Sequence, residues 1–149
     1  MKKELVIFDM DGLMLDSETI AWKAWQNIQG NYNCNCDFQY YKTFIGTNEN
    51  YICTNMKLKY GNDFPIEKML LDIKEEKSRI ISMNGVQKKQ GLIELLEFLK
   101  VNNIKRAVAT SSSRDVMENL LKITGISSYF DLSVCGNEIE NSKPSPDIF

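Results

Sequence analysis

Residues 4–12 run Glu4-Leu5-Val6-Ile7-Phe8-Asp9-Met10-Asp11-Gly12, and the reading of this junction decides the fold. The short β-branched and aromatic run predicts a buried strand, which stops abruptly in an acidic turn. Carboxylates delivered by the end of a buried strand are a common way to build a polar site. From Ser17 the apolar period becomes helical: Ile20, Ala21, Ala24, Trp25 and Ile28 form one stripe, with Glu18 in the first turn and Gly30 at the end. Residues 31–37 read as loop. Ile45, Ile52, Met56 and Tyr60 mark a second helix, and Ile66, Met69, Leu70, Ile73, Ile80 and Ile81 mark a long third one.

From Gly91 onward helix and strand alternate. A helix with the stripe Leu92, Leu95, Leu96 and Leu99 stops at Asn102-Asn103, and residues 104–109 read as a strand. Ser113 is placed to cap the next helix, with Val116, Met117, Leu120 and Leu121 inward and Gly125 as its stop. Residues 132–135 read as a third strand. Strands alternating with helices imply parallel pairing with right-handed crossovers. The expected fold class is therefore α/β: a Rossmann-like parallel sheet core of residues 1–16 and 86–149, with an all-α helical cap, residues 17–85, inserted after the first strand. Ser145-Pro146-Asp147 has the N-cap, N1 proline and early acid of a helix start, yet only Ile148 and Phe149 follow. A helix without a body buries nothing, so a longer natural chain is expected.

Composition narrows the chemistry. With 149 residues, 43% of them hydrophobic, the chain can bury a core of ordinary size. Its 18 basic and 20 acidic residues nearly cancel, so no long-range field draws in nucleic acid or an anionic membrane, and neither partner is expected. No run approaches the roughly 18 apolar residues of a membrane span. The stretch of residues 5–8 after Lys2 and Lys3 is too short for a signal peptide, so a cytoplasmic location is expected. The chain has no histidine, which excludes Ser/His/Asp and Cys/His catalysis and imidazole metal sites. The four cysteines, at 34, 36, 53 and 135, lack the paired spacing of a zinc ribbon; Cys34 and Cys36 read as reduced thiols in an Asn-rich loop.

In an open parallel sheet, ligands bind beyond the carboxyl ends of the strands. Asp9 and Asp11 follow the first strand, Thr110 with Ser111 to Ser113 follows the second, and Lys143 lies in the loop after the third. Carboxylates need a hard cation or a proton to sit beside a phosphate, whereas a hydroxyl, free helix amides and a lysine bind phosphate oxygens directly. The set points to Mg²⁺-assisted phosphoryl transfer. Singly, each member has a plainer reading. An Asp-x-Asp pair usually marks a capped turn, and Lys143 alone is a solvated charge. Trp22 and Trp25 pack, Lys88 and Lys89 are a solvated run at the return to the core, and Glu138 and Glu140 are solvated loop charges.

Taken together, the residues resemble a family. Asp9-Met10-Asp11-Gly12-Leu13-Met14-Leu15-Asp16-Ser17-Glu18 is similar to the first motif of the haloacid dehalogenase (HAD)-like hydrolase superfamily. Thr110 resembles its second motif, and Ser142-Lys143-Pro144-Ser145-Pro146-Asp147-Ile148-Phe149 its third. Order and spacing resemble the β-phosphoglucomutase-like branch, whose helical cap lies between motifs one and two. The resemblance implies that Asp9 is the nucleophile forming an aspartyl-phosphate, and that Asp11 is the general acid and base. It makes Asp9 and the Asp11 carbonyl ligands of Mg²⁺. Thr110 and the Ser111 amide would hold phosphoryl oxygens, Lys143 would neutralise charge, and Gly12 and Gly46 would serve phosphate and substrate binding.

The family's fourth motif, an acidic pair on a following strand, is absent, which implies a weaker metal site and an open edge on the first strand. Where mutases of this branch carry an arginine and a histidine in the cap, this chain has Glu49 and Ala21. A glutamate repels a second phosphate, so a phosphatase acting on a small phosphomonoester such as a sugar phosphate is favoured over a β-phosphoglucomutase-type mutase. The cap is expected to close over the site about residues 15–17 and 84–88, and the protein to be a monomer. Two other classes stand beside this: a truncated, non-catalytic family member acting as a binding module, and a response-regulator receiver. The receiver lacks a large insertion and needs an acceptor aspartate where Gly136-Asn137 stands.

Overall fold

The computed structural model describes residues 4–141, 143 and 145–149; Lys2, Lys3, Ser142 and Pro144, used in the sequence reading, lie outside the described residues. Three parallel strands, β1 (Leu5–Phe8), β2 (Lys105–Thr110) and β3 (Leu132–Cys135), form one sheet in the order β1-β2-β3. Phe8 pairs with Val108 and Thr110 with Cys135, so all three strands end along one edge of the sheet. The central strand buries Ala107, Val108, Ala109 and Thr110. β1 is less buried than its composition suggests: Leu5 and Ile7 are 41% and 39% exposed, while Phe8 is buried. Alternate residues of a strand face opposite ways, and on this sheet-edge strand the face bearing Leu5 and Ile7 is open among the described residues.

The chain separates into two compact units. The first comprises the stretch up to Ser17 together with Gly85–Phe149, and the second is Glu18–Asn84. In the first unit, α5 (Leu92–Val101) and α6 (Arg114–Ile123) pack Leu92, Leu96, Leu99, Met117, Leu120 and Leu121 into the core. Leu95 and Val116, expected inward, are exposed at 43% and 46%, because each lies at the margin of a stripe already defined by its helix neighbours. Gly125, at φ 71°, ends α6 and donates its amide to Lys122 O. The chain leaves this unit and returns to it through a short antiparallel pair: Asp16 N donates to Gln87 O at 2.9 Å, and Lys89 N donates to Met14 O at 2.8 Å. Lys88 and Lys89 are exposed at this return, as expected, and each also has a partner. Lys88 Nζ donates to Thr124 O and Lys89 Nζ to Asp16 Oδ1, each a partner that only the fold brings near.

The second unit is all helix and turn: α1 (Ser17–Gln29, its first residue belonging to the other unit), α2 (Phe38–Lys42), α3 (Glu49–Tyr60) and α4 (Ile66–Asn84). Trp25, Tyr41, Phe44, Met56, Met69 and Ile73 form its core. All six apolar positions that mark the third helix in the sequence are buried on α4. The second helix differs from expectation. It starts at Glu49 rather than Ile45, and the short α2 precedes it. Gly46, at φ 77°, turns the chain, and the Asn48 carbonyl oxygen Oδ1 accepts the Tyr51 amide at 2.9 Å to begin α3. Asp37 starts α2 in the same way, accepting Tyr40 N at 2.8 Å. Cys34 and Cys36 are free thiols, but both are buried in this core, and burial pushes the Cys36 thiol up to about 11. Among the described residues no helix is long and apolar enough to cross a membrane.

Candidate active site

Beyond Phe8 the chain folds back at once. Met14 N and Leu15 N donate to Met10 O, Gly12 N donates to Leu15 O, and Gly12 takes φ 76°, a conformation glycine adopts without strain. Met10 is fully buried and anchors this turn in the core, with Asp9 and Asp11 on either side of it and both partly exposed.

The two carboxylates have different partners. Lys143 Nζ donates to Asp9 Oδ1 at 2.6 Å and to Ala109 O at 2.9 Å, so the ammonium bridges the Asp9 carboxylate and the end of β2. Asp11 is met by hydroxyls. Ser17 Oγ donates to Oδ1 at 2.7 Å, and Ser112 Oγ donates to Oδ2 at 2.9 Å, with Thr110 Oγ1 further off at 3.4 Å. Thr110 Oγ1 in turn accepts the Ser112 amide at 3.1 Å. Ser17 and Thr110 are fully buried, whereas the Asp9 side chain keeps 44% of its surface exposed. The outer carboxylate therefore stands open to a ligand, and the inner one is held from two sides.

The fold thus gathers Asp9, Asp11, Gly12, Thr110 and Lys143 at the carboxyl edge of the sheet, with Ser111 next in chain after Thr110. Gly46 belongs to the helical unit, in the turn before α3. Ser17 and Ser112 are the members that sequence reasoning missed. Ser17 reads as part of the first motif and a helix start, and Ser112 as one of the hydroxyls after the second strand; nothing in their spacing shows that each donates to Asp11. Glu138 is not a solvated charge: it pairs with Arg114 and accepts Cys135 N, and that hydrogen-bonded guanidinium holds its carboxyl below the usual range.

The donor set can be tested against a hard divalent cation. Among the described residues no three His, Cys, Asp or Glu side chains gather, and Glu138 is committed to Arg114. Mg²⁺ commonly takes one or two protein carboxylates and completes its shell with waters and substrate phosphate. With Asp9 as its one open carboxylate and the Asp11 backbone carbonyl beside it, the set fits a Mg²⁺ shared with a phosphate, not an all-protein cage.

A haloacid dehalogenase-like hydrolase family model matches residues 6–149. A phosphorylated carbohydrates phosphatase of Thermotoga maritima is 31% identical over 147 residues, covering 98% of this chain and 67% of its own length. Fructose-1-phosphate phosphatase YqaB of Escherichia coli is 30% identical, over 97% of this chain and 75% of its own. The crystal structure of a beta-phosphoglucomutase candidate from Thermotoga maritima superposes with a TM-score of 0.76 at 30% identity, covering 97% of this chain and 67% of that one. The chain spans about two thirds to three quarters of these proteins. With the carboxylates, hydroxyls and lysine gathered at the end of a parallel sheet, this chain belongs to the haloacid dehalogenase-like hydrolase family, and its structural neighbours are of the beta-phosphoglucomutase type.

Proposed function

We propose that the protein is a phosphatase that hydrolyses a small phosphomonoester, of the sugar phosphate kind, through an aspartyl-phosphate on Asp9, with Mg²⁺ as cofactor. The observation that carries this reading is the division of labour between the carboxylates: Asp9 is exposed beside the Lys143 ammonium, and Asp11 is held by Ser17 and Ser112. In the first step an Asp9 carboxylate oxygen attacks phosphorus as the bond to the leaving oxygen breaks, and the Asp11 carboxyl gives that oxygen its proton. In the second, Asp11 takes a proton from water, whose oxygen attacks the same phosphorus and frees Asp9 and inorganic phosphate. Thr110, the Ser111 amide and Lys143 stabilise the phosphoryl oxygens, and Gly12 lets the backbone turn close to them. Asp9 and the Asp11 carbonyl would hold Mg²⁺, which supplies charge neutralisation when bound.

Gly46 and the helical unit are assigned to substrate choice. Hydrolysis is favoured over mutase transfer because Glu49 is not a phosphate-binding cation; it pairs with Lys74 at 2.6 Å. The two relatives named as sugar-phosphate phosphatases support the substrate class. The test is inorganic phosphate release from a panel of sugar and nucleoside monophosphates, with Mg²⁺ or with chelator. Metal-dependent release that Asp9→Asn abolishes is expected. Release that survives Asp9→Asn, or that ignores chelator, overturns the assignment.

A further inference from the structure

Arg114 is the first residue of α6, a position where unpaired helix amides disfavour a cation. Its guanidinium is fully engaged. Nε and Nη2 both donate to the Glu138 carboxylate, the second at 2.9 Å, while Nη1 donates to Ser133 Oγ at 3.1 Å and Nη2 to Ser133 O at 3.3 Å. Glu138 also accepts the Cys135 amide at 2.9 Å. The helix cap comes from the same place. Ser113, the expected N-cap, makes no side-chain cap bond; instead Asn137 Oδ1 accepts the Arg114 amide at 3.1 Å. Gly136 N donates to Ser112 O at 3.0 Å, and a Cβ at Gly136 would stand 2.2 Å from Ser111 O. Gly136 therefore contacts the loop that follows β2, whose Ser112 hydroxyl rests on Asp11, while Asn137 and Glu138 hold Arg114, the helix residue that directly follows that loop.

We propose that the Gly136–Glu138 turn, locked by the Arg114–Glu138 ion pair, is the positioning device of the loop at residues 110–113, and that Arg114 and Glu138 are positioning residues acting through Ser112 on Asp11. The catalytic consequence rests on the phosphatase reading; the mechanical lock does not. Both side chains are about one third exposed, 36% and 33%, so a lone pair there would add little global stability. This pair is bidentate and tied to two backbone groups of β3, Ser133 O and Cys135 N, so its effect is on local order.

The test is Glu138→Gln in the full chain, with Glu118→Gln as control, since Glu118 meets Arg114 only at 3.4 Å and through Nη1, not through the Nε and Nη2 that hold Glu138. Two readouts separate the lock from its use: amide hydrogen exchange at Gly136, and calorimetric binding of inorganic phosphate with Mg²⁺. In Glu138→Gln, Gly136 exchange should quicken and phosphate affinity fall, each about tenfold, the scale of one charge-assisted hydrogen bond, with the thermal midpoint little changed. The control should leave both readouts as in the wild type. Unchanged Gly136 exchange overturns the lock, and faster exchange with unchanged phosphate affinity overturns its positioning role. If the wild type binds no phosphate, the phosphatase reading fails and Gly136 exchange alone decides the lock. Should Glu138→Gln not fold, Asn137→Ala removes only the bond to the Arg114 amide, and the same two readouts decide.

Discussion

At the scale of single residues, two aspartates two positions apart come to differ because their neighbours differ. Asp9 meets an ammonium and solvent, while Asp11 meets hydroxyls from three points of the chain. The aspartates were legible in the sequence because, directly after a strand, an acidic pair flanking one apolar residue turns the apolar Met10 into the core and leaves both carboxylates at the strand's end. Lys143 was legible from its place after the third strand. Ser17, Ser112 and the pairing of Glu138 were not, since a hydroxyl or a loop carboxylate carries no mark of a partner many residues away. The helical unit has its own tuned carboxylate. Glu76 accepts two hydrogen bonds from Arg79 and one from Asn27, and these hold its carboxyl at about 2, with Arg79 the larger cause. A carboxyl lowered by folding stabilises fully above its unfolded pKa near 4.5, and that contribution is lost as pH falls toward 2. Urea midpoints measured from pH 5 to pH 2 should fall more steeply for the wild type than for Glu76→Gln. Parallel slopes would show that Glu76 is not the group responsible.

At the scale of elements, the length of an apolar pattern decided what could be read. α4 and β3 were legible because their patterns run uninterrupted between clear stops. α2 and the start of α3 were not, because apolar spacing through Ile45 and Ile52 bridges a break that is made by Gly46 and the caps at Asp37 and Asn48, although Ile52, Met56 and Tyr60 do lie on α3. Such short polar signals decide where a helix begins, and they are easily overridden in reading by a hydrophobic residue at the right interval. The cap at α3 can be weighed directly. Asn48→Ala removes the acceptor of the Tyr51 amide and should cost about 1 kcal/mol, read by urea unfolding, with Tyr51 exchange quickened. A variant as stable as the wild type would mean that solvent caps this helix equally well. β1 fell short of its expected burial for a different reason: strand composition reports what a residue prefers, not whether the second face of a sheet is covered.

At the scale of the whole molecule, the two units follow from one fact of connectivity, that a long helical segment is spliced between the first and second strands of a sheet. The alternation after Gly91 made this splice readable without any contact information. A chain with Glu18–Asn84 replaced by a short Gly/Ser linker is expected to keep its sheet, giving one cooperative urea transition with the Asp16 amide still protected. A non-cooperative, unprotected product would show that the sheet depends on the inserted helices. The antiparallel staple of Asp16 and Gln87, with its neighbours Met14 and Lys89, has one more consequence. A segment whose ends are already pinned together is a closed polymer ring as far as the rest of the chain is concerned. The entropic cost of closing such a ring grows only with the logarithm of its size, about 0.6 kcal/mol for each doubling. Descendants of this protein can therefore lengthen, trim or exchange what lies inside the ring at little entropic cost to the closure of the staple that pins it.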